Sequence, residues 1–291
     1  MRSVDESYEK ILSALGDIDE RGCNYFHSEI MVPTRAEVVD ITKKLQYLMF
    51  PEYFPLSDGE DGCLARVLSS LHSSIKRQIT SAYAFIGNEC VVDTESVALS
   101  ILERIPDIKA MLIKDVQAIY EGDPAARSPE EVILCYPGFF AISVYRIAHE
   151  FYLMGIPCIS RLMTEYAHEK TGVDIHAGAT IGEYFCIDHG TGIVVGETAT
   201  IGDRVKIYQG VTIGAKSFEL DDEGNPVKGV KRHPDIGSNC VIYAGATILG
   251  GDTVIGDGCV IGGNVWLTSS VEPDTTVYYT AEKRTVKRKK D

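Results

Sequence analysis

An Asp-His pair set among glycines, Ile187-Asp188-His189-Gly190-Thr191-Gly192, is where residue types and spacing in this chain best suit chemistry. An imidazole titrating at about 6.5 is the usual general base near neutral pH. Asp174, in Val173-Asp174-Ile175-His176, precedes His189 by 15 residues. A carboxylate paired with that imidazole would fix its tautomer and stabilise the imidazolium formed on proton abstraction. A second cluster, Lys231-Arg232-His233-Pro234, combines a guanidinium fork with an imidazole. That combination suits a small carboxylate, because the fork matches two oxygens. The competing readings are a structural histidine for the first cluster and a surface cation pair for the second.

The elements that must position these residues follow from a repeat. From Ile175 to Leu267 a branched aliphatic residue recurs at every sixth position in four runs. They are Ile175, Ile181, Ile187; Val195, Ile201, Ile207, Ile213; Ile236, Ile242, Ile248; and Ile255, Ile261, Leu267. A period of six is neither the 3.6 of a helix nor the 2 of a strand. It predicts a left-handed parallel β-helix, in which three hexapeptides close one triangular coil and the anchors point inward. Chemistry must then sit on the outer faces or in grooves between neighbouring prisms. The 15-residue spacing, close to one coil of 18, predicts Asp174 and His189 on adjacent coils of one face. The count slips by two just after His189, and it is lost between Ile213 and Ile236 through a polar segment containing Gly224 and Pro226. This reads as a loop excursion over 215–232, and long loops leaving a rigid scaffold are often functional.

The residues before the repeat read as helical, so the fold class is α+β: an all-helical N-terminal domain over 1–172, then the β-helix over 173–275. A basic tail follows over 276–291. Thr34-Arg35-Ala36-Glu37 predicts a capping box ahead of Val38, Ile41, Leu45 and Leu48. Leu64, Val67, Leu68, Leu71 and Ile75 form a second stripe. A third helix starts near Asp93 and is broken at Pro106, and a fourth carries Ile108, Met111, Leu112, Val116 and Ile119. Two more are expected over about 139–154 and 158–171, the last stopped by Gly172 as a left-handed cap.

Composition narrows the classes. At 291 residues with 45% hydrophobic and 24% charged residues, this is an ordinary globular chain. A formal charge of −14 argues against nucleic acid or an anionic membrane as the main partner. Met1-Arg2-Ser3-Val4-Asp5-Glu6 does not resemble a signal peptide, and no apolar run is long enough to span a membrane. The eight cysteines contain no Cys-x-x-Cys pair, which predicts reduced thiols in a cytoplasmic protein. The basic run Lys283–Lys290 reads as a solvated terminus.

At the chemistry-bearing residues the chain resembles the serine O-acetyltransferase family. The resemblance is carried by Val173-Asp174-Ile175-His176, the run from Asp188-His189-Gly190-Thr191-Gly192 to Glu197-Thr198, and Arg232-His233-Pro234. Asp123-Pro124-Ala125, Tyr136-Pro137-Gly138-Phe139 and Tyr145-Arg146-Ile147-Ala148-His149 add to it, covering about 120–270. The resemblance implies transfer of the acetyl group of acetyl-CoA, as co-substrate and without a metal, to the hydroxyl of L-serine. It implies that His189 is the general base and Asp174 its orienter. Asp123 and Asp188 would bind the amino group of serine, and Arg232 and His233 its carboxylate. Acetyl-CoA would lie against Ala215, Ala244 and Gly263. Glu197 also matches a family position, either in the chemistry or in holding the coil. The family further implies inhibition by L-cysteine and a homotrimer, or two trimers stacked through the helices before residue 120.

Departures from the family pattern limit the transfer. The loop before Arg232 is longer and more acidic than in the common bacterial form. The chain ends Lys289-Lys290-Asp291 where the family tail commonly ends in Ile, so docking on O-acetylserine sulfhydrylase is not implied. Two other readings compete. One is an acetyltransferase for a sugar or xenobiotic hydroxyl. The other is a β-helix metalloenzyme built on His176, His189 and His233, which lack a short His-x-His pair.

Overall fold

A computed structural model describes residues 8–14, 32–56, 62–87, 90 and 92–280. Met1–Glu6, Cys23 and the basic run Lys283–Lys290 lie outside the described residues. Seven helices follow the short helical segment 8–14: α1 (Arg35–Met49), α2 (Leu64–Phe85), α3 (Thr94–Glu103), α4 (Ile105–Gly122), α5 (Pro129–Cys135), α6 (Pro137–Leu153) and α7 (Ile159–Thr171). The first stripe buries Val38, Ile41, Leu45 and Met49, and the second Val67, Leu71, Ile75 and Ile79. Leu64 and Leu68 lie exposed, off the second buried face. Pro106 opens α4 immediately after α3 ends, because proline suits the first helical turn and not the interior.

The capping box expected at Thr34 does not form. The Thr34 side chain makes no cap hydrogen bond. Instead its N–H donates to Gln78 Oε1 at 2.9 Å, and Gln78 Nε2 donates to Glu37. A buried amide on α2 thus satisfies both groups that the local box would have paired. Asp93 and Ser128 do cap, accepting from the N–H of Glu95 at 3.1 Å and of Glu131 at 3.2 Å.

The remainder is a parallel β-helix of about five turns. Its fourteen short strands form three sheets, β1-β4-β7-β10-β13 (face A), β11-β8-β5-β2 (face B) and β14-β12-β9-β6-β3 (face C). The strands that position the site are β1 (Asp174–Ile175), β3 (Cys186–Asp188), β4 (Val194–Val195), β6 (Lys206–Tyr208) and β7 (Thr212–Gly214). Every hexapeptide anchor falls on a ladder. Ile175, Val195, Ile213, Ile248 and Leu267 stack on face A. Ile181, Ile201, Ile236 and Ile255 stack on face B. Ile187, Ile207, Ile242 and Ile261 stack on face C, where Val277 on β14 (Thr276–Val277) extends the ladder past residue 275. Nearly all are buried, so this stack is the core of the solenoid. Ile175 pairs with Val195, 20 residues on, and Val195 with Ile213, 18 on. The two extra residues of the first coil are accommodated at His189 and Gly190, both at positive φ.

The helices cap the first coil. Gly172, at φ 70, ends α7 two residues before β1 begins. A Cβ on Gly138 would lie 2.7 Å from the Ile187 carbonyl, so glycine lets α6 press onto β3. Tyr145 donates to the Ala179 carbonyl at 2.5 Å. Arg146 holds Asp115 of α4 through two hydrogen bonds of 3.0 Å and donates to the carbonyls of Ile181 and Gly182. Asp115 also accepts from the N–H of Phe185, so this fully buried carboxylate joins both domains.

Candidate active site

One half of the candidate site lies at the corner between faces C and A. Asp188 ends β3, half-buried, and His189 follows with φ 60. That left-handed turn throws the imidazole outward, 71% exposed, with Nε2 3.7 Å from Asp188 Oδ1. Asp123 reaches the same corner from the end of α4. Its Oδ2 accepts from the Tyr136 hydroxyl at 2.6 Å and its Oδ1 from the Ala125 N–H at 2.8 Å. The Tyr136 hydrogen bond, helped by Ala125, holds the Asp123 carboxyl below its ordinary value, so it is ionised near neutrality. The same bond pushes Tyr136 up to about 12. Lys206, on the next coil, ion-pairs with Asp188 Oδ2 at 3.0 Å.

The other half lies at the corner between faces A and B. Arg232 Nη2 donates to Glu197 Oε2, and Tyr152 of α6 donates to Glu197 Oε1 at 3.2 Å. Burial opposes ionisation of Glu197, but the Arg232 bond and the nearby His176 prevail and lower its pKa. His233 is nearly buried, in space that Gly196 leaves open: a Cβ there would fall 2.0 Å from the ring. Burial, reinforced by the Arg232 charge, pushes His233 down to about 4. It is therefore neutral at pH 7. The Thr198 N–H donates to His233 Nδ1 at 3.1 Å, which leaves the proton on Nε2 as a donor for an incoming carboxylate. Thr198 Oγ1 accepts from the N–H groups of Arg232 and His233, locking the turn.

These two halves stand apart in one chain. From Gly192 to Glu197 the backbone crosses face A through β4, and five steps of about 3.3 Å cover roughly 16 Å. Spacing placed Asp174 and His189 on one face, and the register does not. Asp174 begins β1 on face A opposite Val194, whereas His189 follows the face-C strand β3. No hydrogen bond or ion pair joins them. Asp174 instead lies with Glu165 and His168 of α7, their ligand atoms within 4.8 Å of one another. The two extra residues between β3 and β4 displace the stacking that an even count of 18 assumes.

Of the three positions matching the family's acetyl-CoA contacts, Ala244 and Gly263 stack at the C-to-A corner, joined by the Asn264 N–H to Ala244 carbonyl bond at 2.9 Å. Ala215 leaves β7 at the other edge of face A. The loop that follows is pinned by the Leu220–Pro226 bridge. It flanks Arg232 with two cavities, of about 410 and about 840 Å³. Within one chain His189 stands at the C-to-A corner, whereas His176 and His233 lie at the A-to-B side. Among the described residues no single helix is long and apolar enough to cross a membrane.

Sequence reasoning missed Tyr152 and Lys206 and the bonds that Thr198, within the quoted run, makes to Arg232 and His233. Each meets its partner only through the domain junction or the coil register, which leaves no local motif.

A parallel β-helix with titratable residues at its corners places the chain in the hexapeptide-repeat acyltransferase class. The family model for the N-terminal region of serine acetyltransferase matches residues 69–144, reaching back into α2 beyond the motifs from residue 120. A plasmid-encoded serine acetyltransferase of Synechococcus elongatus is 44% identical over 256 residues, 82% of this chain and 79% of that protein. Serine acetyltransferase isoform 3 of Entamoeba histolytica, solved with cysteine, superposes with a TM-score of 0.73 at 35% identity, over 86% of this chain and 84% of that one. A serine acetyltransferase solved with CoA gives 0.54 at 26% identity, over 82% and 96%. The chain belongs to the serine acetyltransferase family.

Proposed function

We propose that this chain transfers the acetyl group of acetyl-CoA to the hydroxyl of L-serine, releasing CoA and O-acetyl-L-serine, the first step of cysteine synthesis. His189 takes the hydroxyl proton as the serine oxygen attacks the acetyl carbonyl, and Asp174 orients the imidazole once it turns from solvent. Collapse of the tetrahedral intermediate expels the CoA thiolate, which recovers the proton from the imidazolium. Asp123 and Asp188 take the ammonium of serine. Arg232 and neutral His233 take its carboxylate. Acetyl-CoA lies against Ala215, Ala244 and Gly263, and no metal is needed in this scheme.

The observation that carries the reading is the division of these groups between the two edges of face A. A single amino acid spans about 3.8 Å along a chain, so it cannot touch both edges of one prism. It can touch the C-to-A corner of one prism and the A-to-B corner of a neighbour. Such a contact is head-to-tail, and three prisms close it into a ring. We therefore assign a homotrimer, or two trimers stacked through the helices. The buried thiols Cys186, Cys240 and Cys259, none of them in a disulfide, suit the cytoplasm.

An acceptor screen with acetyl-CoA, following thiol release, tests the reaction. Serine is expected to be the preferred acceptor; preference for a sugar or xenobiotic hydroxyl would replace it. L-cysteine presents the same ammonium and carboxylate, with a thiol facing His189. It is expected to raise the apparent KM for serine without lowering the maximal rate.

A further inference from the structure

The corner that carries Asp188 and His189 holds a cation that lies outside the motifs above. Lys206 starts β6 as the ladder partner of Cys186. Its Nζ donates to the Gly122 carbonyl, the last residue of α4, at 2.7 Å, and lies 3.0 Å from Asp188 Oδ2. It also sits 4.6 Å from the centre of the Tyr208 ring. The side chain is only 17% exposed and Asp188 14%. The contact is close on all sides, since a Cβ on Gly122 would lie 3.3 Å from Cys186 Sγ and 3.6 Å from Nζ.

One ammonium thus grips the residue next to Asp123 and one oxygen of Asp188. A carbonyl at a helix C-terminus carries partial negative charge, so it favours such a cation. Two carboxylates at one site disfavour joint ionisation, and a cation between their supports removes that penalty. Burial works against the Lys206 charge, but hydrogen bonds with Tyr208 and Asp188 raise its pKa, so it stays protonated. Asp188 Oδ1, turned toward His189, remains available to a ligand.

We propose that Lys206 is a positioning residue for the acceptor's ammonium. It fixes Asp188 relative to Asp123 and cancels one of their two charges, so the pocket presents one uncompensated negative charge to one ammonium. This rests on the assignment of Asp123 and Asp188 to the amino group of serine. Lys206 contacts Asp188, Gly122 and Tyr208 and makes no hydrogen bond or ion pair with His189, so its loss acts on acceptor binding and not on turnover.

The test compares full-length Lys206→Met, Lys206→Arg and Asp188→Asn with the unsubstituted enzyme, by initial rates at varied serine and acetyl-CoA and by thermal melting. Lys206→Met is expected to raise the serine KM about tenfold, the scale of one charged hydrogen bond. Its kcat should stay within about threefold and its acetyl-CoA KM should not move, and Lys206→Arg should restore most of the loss. An unchanged or lower serine KM overturns the proposal. So does a fall in kcat alone with a lowered melting temperature, which marks a purely structural role. Asp188→Asn separates the two readings: if it leaves the serine KM unchanged, the ammonium assignment itself fails. If it raises that KM while Lys206→Met does not, only the role of Lys206 fails. Should Lys206→Met not fold, Lys206→Gln, which keeps a donor for Gly122 without the charge, reads the same shift.

Discussion

His189 adopts a backbone conformation that asparagine tolerates better than most residues. His189→Asn therefore removes the base while sparing the turn. Turnover should fall by about two to four powers of ten, the usual scale of general acid-base catalysis, with an unchanged melting temperature. Near-normal turnover in the folded variant would show that another group takes the proton. His233 supports a pH prediction. Its folded pKa, about 4, lies below the ordinary 6.5 because the ring is buried beside Arg232. Below pH 6.5 the unfolded chain takes a proton that the folded one refuses, so stability falls with pH toward 4 and is complete above 6.5. The melting temperature should drop from pH 7 to 5 by less in His233→Asn than in the unsubstituted protein. Equal drops would mean that His233 is not buried neutral. Neither environment was legible locally: Arg232-His233 announced a carboxylate site, but the Gly196 gap and the Thr198 bond that set its tautomer come from another coil.

At the level of elements, the helices and the prism are joined by a buried charge network, and not by apolar contact alone. Arg146→Met leaves Asp115 buried and unpaired and strips the donors from Ile181 and Gly182. Breaking a buried pair this way costs about 3–5 kcal/mol. The denaturant midpoint should fall accordingly, whereas a change within about 0.5 kcal/mol, typical of surface sites, would show that the network is not stabilising. Helix positions were legible from their apolar stripes and from proline and glycine punctuation, because burial of one face is a local pattern. The Thr34 capping box was not, because Gln78 offers better partners from 44 residues away.

For the whole molecule, a site divided between chains makes complementation the sharpest test. His189→Asn spoils the C-to-A corner of its own chain and Arg232→Ala the A-to-B corner. Co-expressed, they should form mixed trimers in which an interface carries both intact halves. Activity is expected to return to a sizeable fraction of normal, while each variant alone stays inactive and light scattering reports a trimer or its double. No recovery, or an active monomer, would place both halves in one chain.

Thirteen anchors at a fixed period are a property of the chain itself, since each coil repeats the same inward geometry and needs no distant partner to be recognised. The sequence alone therefore determined the β-helix, the chemistry-bearing pairs Asp188-His189 and Arg232-His233, and the excursion between Ile213 and Ile236. Only the tertiary structure decided which of these groups meet. Two residues inserted at His189 lengthen the first coil from 18 to 20, which sets Asp174 opposite Val194 and apart from His189, while the face-C ladder brings Lys206 to Asp188. The first coil also shares its corners with α4 and α6, so Asp123, Tyr136 and Tyr152 enter the site through packing between domains. Packing of that kind leaves no period in the sequence, because its spacing is set by how two bodies fit and not by the rise of either one.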